Sequence, residues 1–347
     1  MKKETILLIF LLSMLLIGCN KTPSTTVINN TPKETIQQEI DETIDVENLP
    51  QISLHEEEIN ETLELEGVTL TINGIVSKPD TTEGLYTYFS EFRNFEEYLP
   101  KMEFLFGEYQ DRMYLDGVGS LHYRVDVPEN EYWADLLAMP DDGYVMYCRA
   151  PVPVSEEEVA VNLTNEEAIS MANDILADIG VPEVELYSCI YKKEVLQITP
   201  DGELSGALGD RLKVEYYQNL QGVPVMTTLI GKRVNTRVVF WSRGLFEARI
   251  SVSDYKPCYG IEKCILFEEA LEIFKEYVSK NEDFNGVNIN KFNINKVLFE
   301  YTVKKEYIDG KFVEVAVPCW HFYREVPDGY SGVDLIIDAI TGAATRY

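Results

Sequence analysis

Histidine is scarce in this 347-residue chain, with three copies. His55-Glu56-Glu57-Glu58-Ile59 lacks the second His that a zinc-protease helix places four residues after the first. There is no Cys-x-x-Cys pair and no phosphate-cradling Gly-x-x-x-x-Gly-Lys loop, and Gly329-Tyr330-Ser331-Gly332 has the wrong spacing for a nucleophile elbow. These absences predict a non-catalytic chain without a cofactor or metal. Basic residues are few as well: 30 Lys and Arg against 59 Asp and Glu, a net charge of −29. Such a balance repels nucleic acid and anionic lipid, leaving cationic peptides, basic protein surfaces and divalent ions as partners. Long apolar runs are lacking too. The stretch Ile6–Ile17 has twelve residues, short of the ~20 that span a bilayer as a helix.

That stretch has the build of an export signal. Lys2 and Lys3 supply a positive start, Ser13 is the sole polar interruption, and Leu16-Ile17-Gly18-Cys19 closes the segment. Gly18 is small enough to enter a peptidase cleft, and the Cys19 thiol is the group that a lipid transferase alkylates. The tetrad resembles the lipobox of bacterial lipoproteins. That resemblance implies cleavage before Cys19, a lipid on its thiol, and a body tethered to the extracytoplasmic face of the cell membrane. An ordinary secretory signal with a coincident Cys, or an uncleaved anchor, is the alternative. Without residues 1–18 the chain keeps 28 basic and 58 acidic residues, net −30, over 329 positions, enough for two or three domains.

Five further cysteines remain: Cys148, Cys189, Cys258, Cys264 and Cys319. An odd number cannot all pair within one chain. Gly260 would let Cys258 and Cys264 close a small disulfide loop; the other reading is five buried free thiols.

Residues 19–62 read as a disordered tether. Asn, Thr, Ser, Pro and Gln dominate first, and from Glu34 to Glu66 there are twelve acidic residues and no Lys or Arg. The run lacks the alternating Asp/Asn and Gly of a calcium loop. Residues 63–150 are expected to form a small α+β domain. Val68–Val76 alternates apolar and polar up to an interruption at Gly74. Asn94 to Glu97 offers a helix cap, Phe95, Leu99, Met102 and Phe106 follow at helical spacing, and Pro100 marks a kink or break. Leu121–Val127 and Gly143–Ala150 read as strands, and Pro151 and Pro153 end the unit.

An internal repeat follows. Thr164 and Glu167 form a capping box for a helix with Ala168, Ala172, Ile175 and Ile179 on one face, stopped by Gly180 and Pro182. About one hundred residues later Ile265–Leu271 opens a second helix, with Leu271, Phe274 and Val278 facing inward. Extended segments follow the first helix at 184–198, 211–218, 223–230, 236–241 and 245–252, and the second at 294–307, 311–324 and 333–338. The fold class expected is therefore α+β, with antiparallel sheets each packed by a helix. Two helix-plus-meander modules, 151–255 and 256–347, follow the N-terminal domain.

Val333–Asp338 running into Ala339-Ile340-Thr341-Gly342 resembles the closing strand and Asp-Ala-x-Thr-Gly turn of PepSY domains. Arg211–Val225, with Gly222-Val223-Pro224-Val225, is similar to a strand pair in thermolysin-type propeptides. The last eighty residues, including Val315–Trp320, resemble YycI-like accessory proteins of cell-wall-sensing kinases in low-GC Gram-positive bacteria. No peptidase domain follows and no transmembrane helix is expected, so neither self-inhibition nor direct intramembrane contact with a kinase is implied. The resemblance implies PepSY/YycI-like modules that bind or regulate an envelope protein or peptide. An alternative is an extracytoplasmic hydrolase using Cys319 and His321, which are two apart and share a face of a strand. A structural cell-surface role is the third reading.

Overall fold

The computed structural model describes residues 49–65, 68–92, 97–115, 122–127, 132–139, 144–149, 160–181, 184–193, 196–198, 204–207, 209–226, 228–229, 232–233, 236–280, 291–308, 311–325 and 331–346. Three strands open the chain: β1 (Leu54–Leu65), β2 (Val68–Pro79) and β3 (Tyr86–Phe92). A short helix α1 (Leu99–Met102) runs into a 3-10 segment, Glu103–Arg112. Next come β4 (Tyr114–Leu115), β5 (His122–Val127), β6 (Tyr132–Met139) and β7 (Tyr144–Arg149). Helix α2 (Asn165–Ile179) precedes β8 (Val184–Lys192), the small β9 (Leu196–Ile198) and β10 (Leu204–Ala207), and β11 (Arg211–Leu220). Then follow β12 (Val223–Met226), β13 (Thr228–Leu229), β14 (Lys232–Arg233), β15 (Thr236–Trp241), β16 (Gly244–Ile250) and β17 (Ser253–Gly260). Helix α3 (Phe267–Lys280) leads into β18 (Lys291–Ile308), β19 (Lys311–Glu325), β20 (Ser331–Asp338) and β21 (Ala344–Arg346).

Strand pairing sorts these elements into two large sheets. The middle sheet is antiparallel throughout, in the order β4-β5-β6-β7-β16-β15-β11-β8. The terminal sheet is built on the β18–β19 hairpin. Along one half β2 and then β1 flank β18, while β20 and β21 flank β19; along the other half β12 borders β18, and β3 with β17 borders β19. The protein is thus α+β, mostly sheet, with few helices.

Each sheet hides one face under helix. The first turn of α2 is the predicted capping box: Thr164 Oγ1 accepts from the Glu167 N–H at 3.2 Å, and the Thr164 N–H donates to the Glu167 carboxylate at 2.9 Å. Ala168, Ala172, Leu176 and Ile179 are buried with Leu99, Met102 and Phe106 over the middle sheet's apolar face, where Val125, Leu136, Val145, Val214 and Val238 lie. Beneath the terminal sheet α3 contributes Phe267, Ala270, Leu271, Phe274 and Val278. Phe274 stacks on Phe322 with ring centroids 4.2 Å apart. Burying side chains of this size is worth roughly 1.5–3 kcal/mol each, which is what fixes the helices.

Several expectations are corrected. Folded structure begins before Leu63: β1 pairs with β2 from Leu54, its acidic side chains outward and Ile59, Leu63 and Leu65 against the core. An edge strand tolerates so many carboxylates because one face and one edge stay in water. The expected 63–150 unit is divided, since β1–β3 pair within the terminal sheet and β4–β7 within the middle one. Residue periodicity reports which face is buried, not which distant strand lies alongside. Strand β2 also runs through Gly74, where a Cβ would sit 1.7 Å from the Asn295 carbonyl oxygen of β18; glycine permits that approach. Pro100 begins α1 rather than breaking it, since the N–H it lacks has no helical acceptor in a first turn.

The helix-then-meander pattern occurs three times. A helical segment at 97–112 precedes β4–β7, α2 precedes β8-β11-β15-β16, and α3 precedes β18–β21. In the middle sheet the last strands of the first two units lie antiparallel side by side, Val145 opposite Ile250 and Cys148 opposite Glu247. The two sets of strands are thereby joined edge to edge in one sheet.

Candidate ligand-binding face

Among the described residues the middle sheet's other face carries no helix, and its chemistry is different. Cross-strand pairing sets out two rows on it. One runs Lys213, Val239, Glu247, Cys148, Asp135, Arg124, and its neighbour runs Glu215, Arg237, Arg249, Met146, Leu137, His122. Arg211 lies opposite Trp241 at the end of β11. A bulge between β15 and β16 turns Phe246 to this side as well, against Trp241 at 5.3 Å between ring centroids.

Ion pairs knit the rows together. Arg237 grips Glu247 with two bonds of 2.6 and 3.2 Å, and Arg249 Nε approaches the same carboxylate at 3.4 Å. Lys213 pairs with Glu215 at 3.0 Å, while Asp135 meets His122 at 2.8 Å and Arg124 at 3.8 Å. Aromatic rings back the cations: Arg211 lies 3.8 Å from the Phe246 ring centroid, Arg249 4.3 Å from Tyr144, and Arg124 4.4 Å from Trp133. Burial lowers the pKa of both Arg211 and Arg249; Arg237 pushes the same way, and the Glu247 charge opposes it. Three buried donors on this face, the Nε–H of Arg211 and the indole N–H of Trp133 and Trp241, have no hydrogen-bond acceptor among the described residues, and the Nε–H of Arg249 has Glu247 at ion-pair distance only. Trp241, Phe246 and Glu247 are buried, so what this face offers solvent is its half-buried cations, Arg124, Lys213, Arg237 and Arg249, and a carboxylate is the group guanidinium can grip through two parallel bonds.

Of the residues singled out in the sequence, Leu16, Ile17, Gly18 and Cys19 lie outside the described residues. Among the described residues no helix is long and apolar enough to cross a membrane. Cys258 and Cys264 are free thiols in separate core clusters: Cys258 lies with Val315, Val317 and Ile336, and Cys264 with the core beneath α3. Cys319 and His321 share a face as expected, yet both are inside the terminal sheet, at 2% and 0% exposure. The His321 ring meets Thr302 Oγ1 at 2.6 Å and Glu300 at 2.8 Å, and Tyr323 donates to the same carboxylate at 2.6 Å. Burial, reinforced by the Asp338 charge, pushes the Cys319 thiol well up. A nucleophilic thiol needs the opposite shift.

The two turn motifs have complete structural roles. Asp338 Oδ1 accepts from the N–H groups of Ile340 and Thr341 at 2.9 Å each, and its other oxygen pairs with Lys304 at 2.7 Å. At the other motif Gln221 and Gly222 adopt φ of 52° and 84° to turn β11 into β12. Gln221 then joins the sheets: its Nε2 donates to the carbonyls of Pro50 (3.0 Å) and Gly84 (2.7 Å), and its Oε1 accepts from the Tyr86 N–H (3.0 Å).

The arginine-aromatic face is the feature that composition hid. A readable signal was the period-two placement of cations in Arg211-Leu212-Lys213 and of Arg237-Val238-Val239-Phe240-Trp241, both on half-buried strands.

No family model and no curated protein matches the chain. Among solved structures, an uncharacterized protein from Eubacterium rectale is 13% identical with a TM-score of 0.50, over 87% of this chain and 95% of that one. YycH from Bacillus subtilis is 11% identical with a TM-score of 0.31, over 77% and 58%. The YpeB C-terminal domain from Bacillus megaterium is 10% identical with a TM-score of 0.24, over 67% and 92%. Fold and face define a mostly-sheet α+β protein with a cation-bearing sheet face. The Eubacterium protein shares that fold along nearly its whole length; the likeness to YycH and to YpeB is too low to carry an argument.

Proposed function

We propose that this chain is a lipid-anchored, extracytoplasmic binding module that regulates an envelope protein or peptide without catalysing a reaction. The single observation that supports the binding role is the second face of the middle sheet, where the half-buried cations Arg124, Lys213, Arg237 and Arg249 are brought together in an acidic chain. The anchor rests on the Leu16–Cys19 tetrad, and the regulatory role on the PepSY/YycI-like sequence motifs, which extend to control of a protease or a sensor kinase.

Two measurements test it. A photo-reactive residue at Ile190, 46% exposed beside that face, should capture a discrete envelope protein in the native host. Capture of nothing by this site and by a scan of the remaining surface would remove the binding reading. Metabolic labelling with a palmitate analogue should mark the wild-type chain and not Cys19→Ala, which should be released into the medium. An unlabelled wild type would remove the anchor.

A further inference from the structure

The edge strand β8 carries an apolar row that the helices leave uncovered among the described residues. Its pairing with β11 puts Leu186 opposite Tyr216, Cys189 opposite Val214 and Tyr191 opposite Leu212, so the row continues the helix-side face of the middle sheet. Leu186 and Tyr191 are nevertheless 44% and 48% exposed, and Cys189 is half-buried. Helix α2 lies over the neighbouring strand, where the Tyr216 hydroxyl donates to Asn173 at 2.7 Å. An apolar edge of this kind invites a cover.

Independently of any partner, we propose that the cover is the chain's own N-terminal segment. Residues 32–47 dock beside α2 as an amphipathic helix, with Ile36, Ile40 and Ile44 seated on Tyr191, Cys189 and Leu186.

Three features select that occupant. The first is pattern. Within the stretch whose composition reads as tether, Thr31-Pro32-Lys33-Glu34 has the form of a capping box with Pro at the first helical position. Ile36, Ile40 and Ile44 then recur every four residues, one stripe on a helix, and every position between them is polar.

The second is reach. Residues 1–48 lie outside the described residues, and the chain enters at Leu49 close to the foot of β8. Pro50 and Ile52 are bonded to Gln221, three residues beyond Gln218, which faces Val184 at the start of β8. That separation is ~10 Å of strand, and the step from Ile44 to Leu49 spans up to ~17 Å. Lengths match as well: Ile36 to Ile44 covers ~12 Å of helix, and Leu186 to Tyr191 covers ~13–17 Å of strand.

The third is charge. Lys192 and Lys193 follow Tyr191 and are exposed, at the end where Glu34 and Glu39 flank the stripe. At the middle of the row, where Glu166 lies near Cys189, the segment offers Ile40 and not a carboxylate. A second copy of the chain would instead bring −29 to a molecule of the same charge.

The test uses the mature chain with Cys19→Ser. Ile40→Cys is added, the protein is oxidised mildly with diamide, and peptide mapping reads which thiols have joined. A disulfide within one chain between position 40 and Cys189 is expected, with about tenfold less from Gln38→Cys, on the opposite side of the helix. In a second arm Ile36→Asp, Ile40→Asp and Ile44→Asp are combined, all outside the body that begins at Leu49. Native alkylation of Cys189 should then quicken about tenfold while buried Cys264 stays slow. Equal trapping from positions 38 and 40, a disulfide between two chains in place of one within, or an unchanged Cys189 rate would overturn the inference.

Discussion

Gln218 and Ser253 exchange two hydrogen bonds: the Gln218 amide donates to the Ser253 carbonyl at 2.9 Å, and its oxygen accepts the Ser253 N–H at 2.8 Å. Ser253 is the first residue of β17, where the chain leaves the middle sheet for the terminal one. Two positions before it, Ser251 is held in the same reciprocal way by Thr236, at 3.0 and 3.1 Å. The crossover is thus clamped by side chains in place of a strand ladder.

Gln221, three residues after Gln218, is the heaviest-worked of these clamps. Gln221→Ala removes the partners of the Pro50 and Gly84 carbonyls and of the Tyr86 N–H, three part-buried bonds. A loss of about 3 kcal/mol is expected in urea unfolding, with the m-value preserved if the sheets still melt together. Gly222→Ala should be at least as harmful, because φ is +84° and a Cβ would meet the Ile52 carbonyl oxygen at 2.2 Å.

The enclosed His321–Glu300–Tyr323 group predicts a second loss. Removing the ring in His321→Ala leaves a carboxylate at 2% exposure facing a void, a change worth roughly 3–5 kcal/mol for a broken buried pair. Thermal melting checks it. A drop under about 1 kcal/mol would show that the ring only fills space.

Thiol chemistry offers a third. Burial pushes Cys148 and Cys264 up to about 12, with the charges of Asp135 and Glu247 adding to the first and Asp338 to the second. Burial, with the Glu166 charge, also raises Cys189. A raised thiol holds less thiolate at any working pH, so alkylation at pH 8 should be slow in the folded chain. It should reach Cys148, Cys189, Cys258, Cys264 and Cys319 alike in denaturant. Fast native labelling of Cys148 would contradict the geometry.

Acid sensitivity gives a fourth. Glu268 at the start of α3 is held below its usual 4.5, first by its own backbone N–H and then by Lys78, with burial opposing. A lowered carboxylate stabilises the fold above its unfolded pKa, and that share is lost as pH falls through the folded value. The side chain is largely in water, so the share is under about 1 kcal/mol. Glu268→Gln should flatten the stability profile below pH 4.5 and, because Glu268 also helps to raise Lys78, soften the fall above pH 10.

Much of this architecture was legible. The α2 cap, the α3 face of Leu271, Phe274 and Val278, and the segment 236–241 follow from local pattern, because burial on one side imprints a period of 3.6 or 2.0. Pairing was not legible. Nothing in Val68–Pro79 says that it will lie parallel to β18, more than two hundred residues away. The candidate face was hidden for another reason. Charge summed along a chain conceals a local excess that exists only when β8, β11, β15 and β16 are set side by side, as when Arg211 comes level with Trp241. The Cys319–His321 pair showed the converse: a shared strand face was readable, its depth inside the terminal sheet was not.

The parallel seam of β2 with β18 also dictates an order of events during synthesis. Leu70 and Ile72 are buried in the finished fold, where β2 pairs with β18, so the opening hairpin waits for the closing one with that strand edge uncovered. Assembly governed by such remote pairing is slow. A nascent chain halted before Lys291 would present a bare strand edge, the kind of surface that invites clumping or capture by a chaperone.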